Sequence, residues 1–153
     1  MPSLKIVKYK PEHFKYILKL NQQVIDMPWS ESNLVDTFED NNILCLVCEI
    51  EDIATGFIII RSVVDEAEIL LLAVSPKSQR GGIATILLDS CMDELKNMGV
   101  KRLFLEVSDQ NIAAVKFYMK NQFVKLGVRA NYYTLPNNIK ASALVLSKSI
   151  LFD

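Results

Sequence analysis

Residues 74–85 read VSPKSQRGGIAT and separate two segments of different character. The residues before them, 69–74, are all apolar, whereas those after them place apolar side chains near helical spacing at Leu88, Cys91 and Leu95. This change of pattern predicts a strand, a glycine-containing turn and the start of a helix.

The predicted turn offers main-chain donors to an anion. The first N–H groups of a helix have no partner within it, and the helix dipole favours negative charge at that end. Gly81 and Gly82 carry no side chains that would keep a phosphate from the backbone. A P-loop would need Lys-Ser/Thr after the second glycine and a dinucleotide-binding turn would need G-x-G-x-x-G, and neither is present. The residues alone leave open a plain strand-to-helix turn, in which the glycines serve only tight geometry.

The composition is that of an ordinary globular domain. Of the 153 residues 50% are hydrophobic and 23% are charged, and the formal net charge is −1. We therefore expect a single domain over residues 1–153 and no nucleic-acid partner. The N-terminus lacks the apolar region of a signal peptide, and no apolar run is long enough to cross a bilayer. We expect a cytoplasmic protein without a membrane partner.

The three cysteines and the single histidine do not indicate a metal or redox site. Cys45 and Cys48 are three residues apart in a predicted strand, so their side chains should point to opposite faces and be buried as small hydrophobic groups. One histidine cannot form a multi-histidine metal site, and we expect His13 to lie on a surface helix. We therefore expect no metal.

The rest of the chain predicts alternating strands and helices around this turn. Ser30 is the expected N-cap of a helix, and Gly99 the glycine that ends the helix starting at Gly82. The expected strands are residues 5–9, 43–50, 56–63, 66–74, 101–107, 123–128 and 141–147, and the expected helices start at Pro11, Ser30, Gly82 and Asn111. A meander feeding a strand-helix-strand unit gives a mixed α/β protein, with a mostly antiparallel sheet of about seven strands and helices on both faces.

The turn and the element order together resemble the GNAT acyltransferases. The acetyl-CoA pyrophosphate loop of that family follows Q/R-x-x-G-x-G/A, and Gln79, Gly82 and Ala84 occupy its three defining positions. The predicted order of elements resembles the GNAT fold over nearly the whole chain. The resemblance implies acetyl-CoA as co-substrate.

A second motif follows the predicted strand 101–107. The motif L-E-V-x-x-x-N-x-x-A-x-x-F/Y-Y-x-x-x-x-F appears as Leu105, Glu106, Val107, Asn111, Ala114, Phe117, Tyr118 and Phe123. Together with residues 28–30, 65–67 and 129–133, this motif resembles the GNAT branch that acetylates the N-terminal alanine of small-subunit ribosomal protein number eighteen.

The resemblance implies roles for particular residues. Glu106 would accept the proton of the acceptor amine, and Tyr118 would protonate the departing CoA thiolate. The backbone groups of Leu72, Ala73 and Val74 would hold the pantetheine arm and thioester, with the Val74 N–H polarising the acetyl carbonyl. The remaining cofactor-binding residues would be Arg80, Gly81, Gly82, Ile83, Ala84 and Thr85 around the pyrophosphate, together with Asn111.

Other interpretations of these residues stay open at this point. Glu106 could be a solvent-exposed carboxylate on an edge strand or a partner of Lys101 or Arg102, and Tyr118 could be a packed aromatic. Gln122 stands where the family usually has glycine, so we expect Asn121 to take the left-handed conformation that ends a helix.

The resemblance implies acetyl transfer to a protein N-terminal α-amine. We expect the transfer to be direct, because no activated nucleophile is visible. The partner would be an N-terminal peptide of a ribosomal protein, and Trp29, Tyr132 and Tyr133 could frame its groove or form a packed aromatic cluster. Two alternatives remain: a GNAT enzyme for another amine (polyamine, antibiotic or lysine), and a non-catalytic module that binds acetyl-CoA.

Overall fold

The structure, a computed structural model, describes residues 3–79 and 81–150. Its strands are β1 (Leu4–Lys8), β2 (Ile43–Ile50), β3 (Ile53–Val63), β4 (Glu66–Val74), β5 (Arg102–Ser108), β6 (Val124–Thr134) and β7 (Lys140–Ser149). Its α-helices are α1 (Phe14–Val24), α2 (Glu31–Glu39), α3 (Ile83–Asn97) and α4 (Ile112–Lys120). In the described part of the chain, no helix combines the length and apolar character needed to span a membrane.

The seven strands form one sheet in the order β1-β2-β3-β4-β5-β7-β6. Neighbouring strands are antiparallel except β4 and β5, which run parallel. The predicted mixed α/β fold with a mostly antiparallel sheet is therefore confirmed, and β2, β3 and β4 form the predicted meander. A parallel pair needs a crossover connection, which α3 provides.

Two hydrophobic cores cover the two faces of the sheet, as predicted. On one face α1 and α2 bury Ile17 and Leu34, and on the other α3 buries Leu88. Cys45 belongs to the first core and Cys48 to the second, and both thiols are buried. The strand alternation thus places these two cysteines on opposite faces, as the sequence predicts.

The pairing between β4 and β5 is short. Residues 66–68 of β4 lie opposite residues 102–104 of β5, and no later residues of the two strands pair. Against β3, the register of β4 shifts between Ile69 and Leu71, so Leu70 is the extra residue of a β-bulge. A bulge bends its strand and increases the local twist. Beyond it β4 stays with β3 while β5 stays with β7, and the sheet opens between them.

His13 is buried, and the prediction of a surface position is wrong. Only 6% of this residue is exposed. The short 3-10 turn Pro11–His13 places the ring against β2, where Nε2 lies 3.0 Å from Glu49 Oε2 and Nδ1 accepts the Lys10 N–H at 3.0 Å. The polar partners on both ring nitrogens explain why a histidine is accepted in the interior.

The end of α4 also differs from the prediction. Asn121 has φ −89°, and the left-handed residue is Gln122 with φ +72°. The Gln122 N–H donates to the Met119 carbonyl and the Phe123 N–H to the Tyr118 carbonyl, both at 3.0 Å. This is a Schellman motif, in which the left-handed residue follows the C-cap. The position where the resemblance expects glycine therefore keeps its conformation with glutamine in place.

Strand β6 continues well past the predicted end at residue 128 and reaches Thr134. Its pairing with β7 shifts between Arg129 and Tyr133, and Asn131 has φ +53°. These bulged residues break the two-residue alternation that identifies a strand in sequence, which is why the second half of β6 was not predicted.

One buried side chain fixes the connection between α1 and α2. Asn21 is 0% exposed; its amide nitrogen donates to the Trp29 carbonyl at 2.8 Å, and its amide oxygen accepts the Trp29 N–H at 3.1 Å. Ser30 Oγ then accepts the Asn33 N–H at 3.1 Å and caps α2, as predicted. The connection is therefore anchored at both the helix before it and the helix after it.

Asn21→Leu should lower the free energy of unfolding by about 2 kcal/mol, because both main-chain groups of Trp29 lose their partner. Gln22→Leu is the matched control, since Gln22 is the exposed next residue of the same helix. Its effect should stay within about 0.5 kcal/mol. Urea denaturation of both variants measures the difference, and equal effects would contradict the anchoring role of Asn21.

Candidate active site

A cleft of about 340 Å³ opens where β4 and β5 separate. The two strands form its walls, and the connection between α1 and α2, the start of α4 and the end of β6 complete it. The lining residues are 25–27, Trp29, 69–72, 105–108, Gln110, Asn111, Ala114, Tyr118, Tyr133 and Leu135.

The β4 wall carries main-chain donors that have no sheet partner. The Ser75 N–H donates to the Thr55 carbonyl of β3 at 2.8 Å. Because successive residues of a strand present their N–H groups to opposite edges, those of Val74 and Leu72 point away from β3 and toward the cleft. By the same alternation Ala73 presents its N–H to β3. Of the three residues predicted to hold the pantetheine arm, Leu72 and Val74 therefore direct their N–H groups into the cleft, and Ala73 does not.

A second cavity, of about 290 Å³, lies at the start of α3. Gly82 is the N-cap and supplies no side-chain cap, and the Ile86 N–H makes the first helical bond, to the Gly82 carbonyl, at 3.0 Å. The N–H groups of Ile83, Ala84 and Thr85 consequently have no acceptor within the helix. The structure brings these predicted pyrophosphate-binding residues together around this cavity.

The glycines serve backbone geometry as well as access. Gly82 has φ +81°, a conformation that residues with a side chain rarely adopt. A Cβ on Gly81 would lie 3.4 Å from the Ser78 carbonyl oxygen. Gly82 is therefore required for the geometry of the turn. This requirement is compatible with anion binding, because the same turn exposes the N–H groups at the start of α3. Arg80, the remaining predicted residue of this loop, lies outside the described residues.

Lys120 lines the same cavity and was not predicted. It is the last residue of α4 and provides an ammonium group near the free N–H groups of α3. Phe117 also lines the cavity, and residues three apart lie on one face of a helix. This spacing is the sequence feature from which Lys120 could have been predicted. On the other side of the turn, Gln79 Nε2 donates to the Val74 carbonyl at 3.1 Å and ties the loop to β4.

Glu106 projects from β5 into the cleft with 27% of its side chain exposed. β5 is an interior strand, and neither Lys101 nor Arg102 is the partner: Arg129 Nη1 donates to both carboxylate oxygens, at 2.9 and 3.1 Å. An ionised carboxylate has about four lone-pair sites, so Arg129 leaves room for a further donor. The hydrogen bonds to Glu106 and the negative charge of its carboxylate raise the pKa of Arg129.

Tyr118 reaches the cleft from α4 and is 7% exposed. Its ring packs edge-on against Phe117 and Phe123, with centroids 5.1 and 5.3 Å apart. Burial, and secondarily Cys91, raises the pKa of the phenol, so the hydroxyl keeps its proton at neutral pH. Tyr118 is thus a packed aromatic residue whose side chain also lines the cleft.

Asn111 lines the cleft at the start of α4, beside the β5 wall. Its Oδ1 accepts the Ala114 N–H at 3.2 Å and caps the helix. The cap occupies the side-chain oxygen and leaves the amide nitrogen as the group that could reach a ligand.

The donor set fits the parts of an acyl-CoA and an amine acceptor. Main-chain N–H groups along β4 suit the amides and thioester of a pantetheine chain, and the N-terminus of α3 with Lys120 suits a diphosphate. A carboxylate and a phenol in the cleft can accept and donate protons. Among the described residues, no group of three or more His, Cys, Asp or Glu side chains could hold a metal ion.

Known proteins resemble this chain in sequence and in fold. Residues 12–123 match the model of the acetyltransferase (GNAT) family. The chain is 29% identical to the ribosomal protein bS18-alanine N-acetyltransferase of Haemophilus ducreyi, over 89% of this chain and 93% of the relative. It is 35% identical to that of Salmonella typhimurium, over 75% and 77%. The solved structure of the ribosomal-protein-S18-alanine N-acetyltransferase from Escherichia coli superposes with a TM-score of 0.91 at 27% identity, covering 99% of this chain and 96% of that chain.

The resemblance inferred from the glycine turn and from the second motif is confirmed by these matches. The chain belongs to the GNAT family of acetyltransferases, as an N-acetyltransferase that uses acetyl-CoA.

Proposed function

We propose that this enzyme acetylates the α-amine of a protein N-terminus, and that its acceptor is the N-terminal alanine of ribosomal protein bS18. Relatives named for that reaction align with most of the chain. The observation that carries the proposal is the placement of Glu106 and Tyr118 in one cleft between β4 and β5.

The acceptor would enter beside the connection between α1 and α2. Trp29 and Tyr133 line the cleft there. Tyr132 packs edge-on against Tyr133 with centroids 5.1 Å apart, and the Arg129 guanidinium lies 4.4 Å from the Tyr132 ring centroid. Rigid aromatic walls on two sides suit the first residues of an extended peptide.

Direct transfer is favoured because the cysteines of the described residues are poor nucleophiles. All three are buried. Burial raises the pKa of the Cys91 thiol to about 12, with Glu94 contributing, so the thiolate is scarce at neutral pH. Acetyl-CoA supplies an already activated acyl group, and the protein has only to remove a proton from the amine and to return one to sulfur.

The α-amine suits a single carboxylate acting as base. A peptide α-amine has a pKa of ~7.7–8.0, so removing its proton near pH 7 costs about 1 kcal/mol. A lysine amine with a pKa of ~10.4 would cost about 4.5 kcal/mol. Glu106 would take this proton directly or through one water, while Arg129 holds the carboxylate in place.

Tyr118 would donate its own proton to the departing sulfur, and the second proton that nitrogen loses on forming the amide would restore the phenol. Its hydroxyl is protonated at neutral pH because burial raises its pKa. The Val74 N–H would meanwhile donate to the carbonyl oxygen as negative charge develops on it. The two proposed proton-transfer groups belong to opposite faces of the sheet, with Glu106 on the face of α1 and α2 and Tyr118 in the core under α3.

A peptide that begins with the alanine of bS18 should be acetylated on its α-amine, with release of CoA. The same peptide with its N-terminus already acetylated, spermidine, and an Nα-blocked lysine peptide are the comparison substrates. Mass spectrometry locates the acetyl group, and CoA release measures the rate. Turnover of spermidine or lysine without turnover of the alanine peptide would contradict the proposed acceptor.

Glu106→Gln should lower kcat about 100-fold near pH 7, because the amine loses its proton acceptor. The loss should shrink above pH ~8, where the α-amine is largely neutral by itself. The Kd of acetyl-CoA should change less than twofold. Arg129→Met is the control, because it breaks the ion pair but keeps the Glu106 carboxylate. An equal loss of kcat in the two variants would contradict the role of Glu106 as proton acceptor and would show that catalysis depends on the ion pair.

Tyr118→Phe should lower kcat about 10- to 100-fold while acetyl-CoA affinity and melting temperature stay close to wild type, because the ring contacts survive and only the hydroxyl is lost. Tyr16→Phe is the matched control, because the Tyr16 hydroxyl on α1 is buried and has no hydrogen-bond partner among the described residues. It should retain wild-type kcat. Equal kcat values for the two variants would remove Tyr118 from the mechanism.

A further inference from the structure

Glu68 is the last residue of β4 that pairs with β5, and it directly precedes Ile69, the first β4 residue that lines the cleft. It is in register with Phe104, and Glu106 is two residues further along β5. Side chains two residues apart share a face, and facing residues of paired strands point the same way. Leu105 and Val107 belong to the core under α3, so Glu68, Phe104 and Glu106 all face the side of α1 and α2. This is the side from which the acceptor would enter.

The arginines beside these two carboxylates already have partners. Arg61 is the cross-strand neighbour of Glu68, but its Nε lies 3.3 Å from Asp40 Oδ2. Arg129 is bound to Glu106 at 2.9 Å. Within residues 3–79 and 81–150, no cation forms an ion pair with Glu68. A negative charge without its own counter-ion is therefore left next to the proposed base.

The surroundings of Glu68 connect it to the cleft. Burial, and then the charge of Glu106, raises the pKa of Glu68, while Arg61 lowers it. Tyr133, which lines the cleft, has its pKa raised by burial, by Glu106 and by Tyr132, and in smaller part by Glu68. The charges of both carboxylates therefore act on the same tyrosine of the cleft lining.

We propose that Glu68 is an acceptor-binding residue, whose carboxylate holds the positive charge of the protonated amine before Glu106 removes the proton. The inference rests on the proposed function, because it needs an amine acceptor beside Glu106. In the proton transfer an N–H bond breaks, its electron pair stays on nitrogen, and the proton goes to Glu106. The amine is then neutral, and so is the amide product.

This change of charge gives Glu68 a preference for substrate over product. The ammonium group of the free amine forms an ion pair with Glu68. The acetylated N-terminus is neutral and cannot form this ion pair. Glu68 therefore strengthens binding of the free amine and contributes nothing to binding of the product. The acetylated peptide consequently leaves a site that no longer attracts it.

The test compares Glu68→Gln with Glu66→Gln, using the alanine-initiated peptide and its N-acetylated form. Glu66 is the matched control, because it lies on the same face of β4, one two-residue repeat further from the cleft, and is exposed. Glu68→Gln should raise the KM of the peptide about five- to tenfold. The inhibition constant of the acetylated peptide should change less than twofold, and Glu66→Gln should change neither constant.

Glu68→Asp keeps the charge and should restore most of the affinity, which separates charge from folding. An unchanged peptide KM in Glu68→Gln, or an equal rise in KM and in the inhibition constant of the acetylated peptide, would overturn the inference. If wild type accepts spermidine or lysine instead of the α-amine, the proposed acceptor fails, and the same comparison is made with that amine and its acetylated product. If no amine turns over, calorimetric titration of the CoA-bound protein with the peptide and its acetylated form gives the same contrast.

Discussion

The hydrogen bonds that β4 and β5 do not make with each other are the physical basis of the site. The strands pair over three residues each and then separate at the Leu70 bulge, so main-chain groups of Leu72 and Val74 face an opening. A buried N–H group without a partner costs about 1–3 kcal/mol, so the opening is stable only when water or a ligand satisfies these groups. A pantetheine chain, which carries amides, can take the place of the missing strand.

The same opening explains how Glu106 and Tyr118, which lie on opposite faces of the sheet, line one cleft. Tyr118 belongs to the core under α3 and α4, whereas Glu106 faces α1 and α2. In a continuous sheet these side chains would be separated by the backbone layer. The cleft removes that layer locally, so a substrate lying between the strands could contact both side chains, as their proposed roles require.

Sequence predicted the features that depend on near neighbours along the chain. The limits of β2 and β4, the Ser30 cap and the helix between Gly82 and Gly99 follow from periodicity and capping rules. The contact of Arg129 with Glu106 could not be predicted in this way, because 23 residues and strand β7 separate the two and their register is set by pairing.

The Asn21 anchor has a consequence for how acceptor preference can change. Asn21 binds the peptide group of Trp29 and makes no use of its indole. The main-chain position of residue 29 beside the cleft is therefore fixed without a hydrogen bond from the indole. The exposed Met27, which lines the cleft, can then be replaced by natural selection or by design to suit other first residues of a peptide, while the connection stays attached to the first helix.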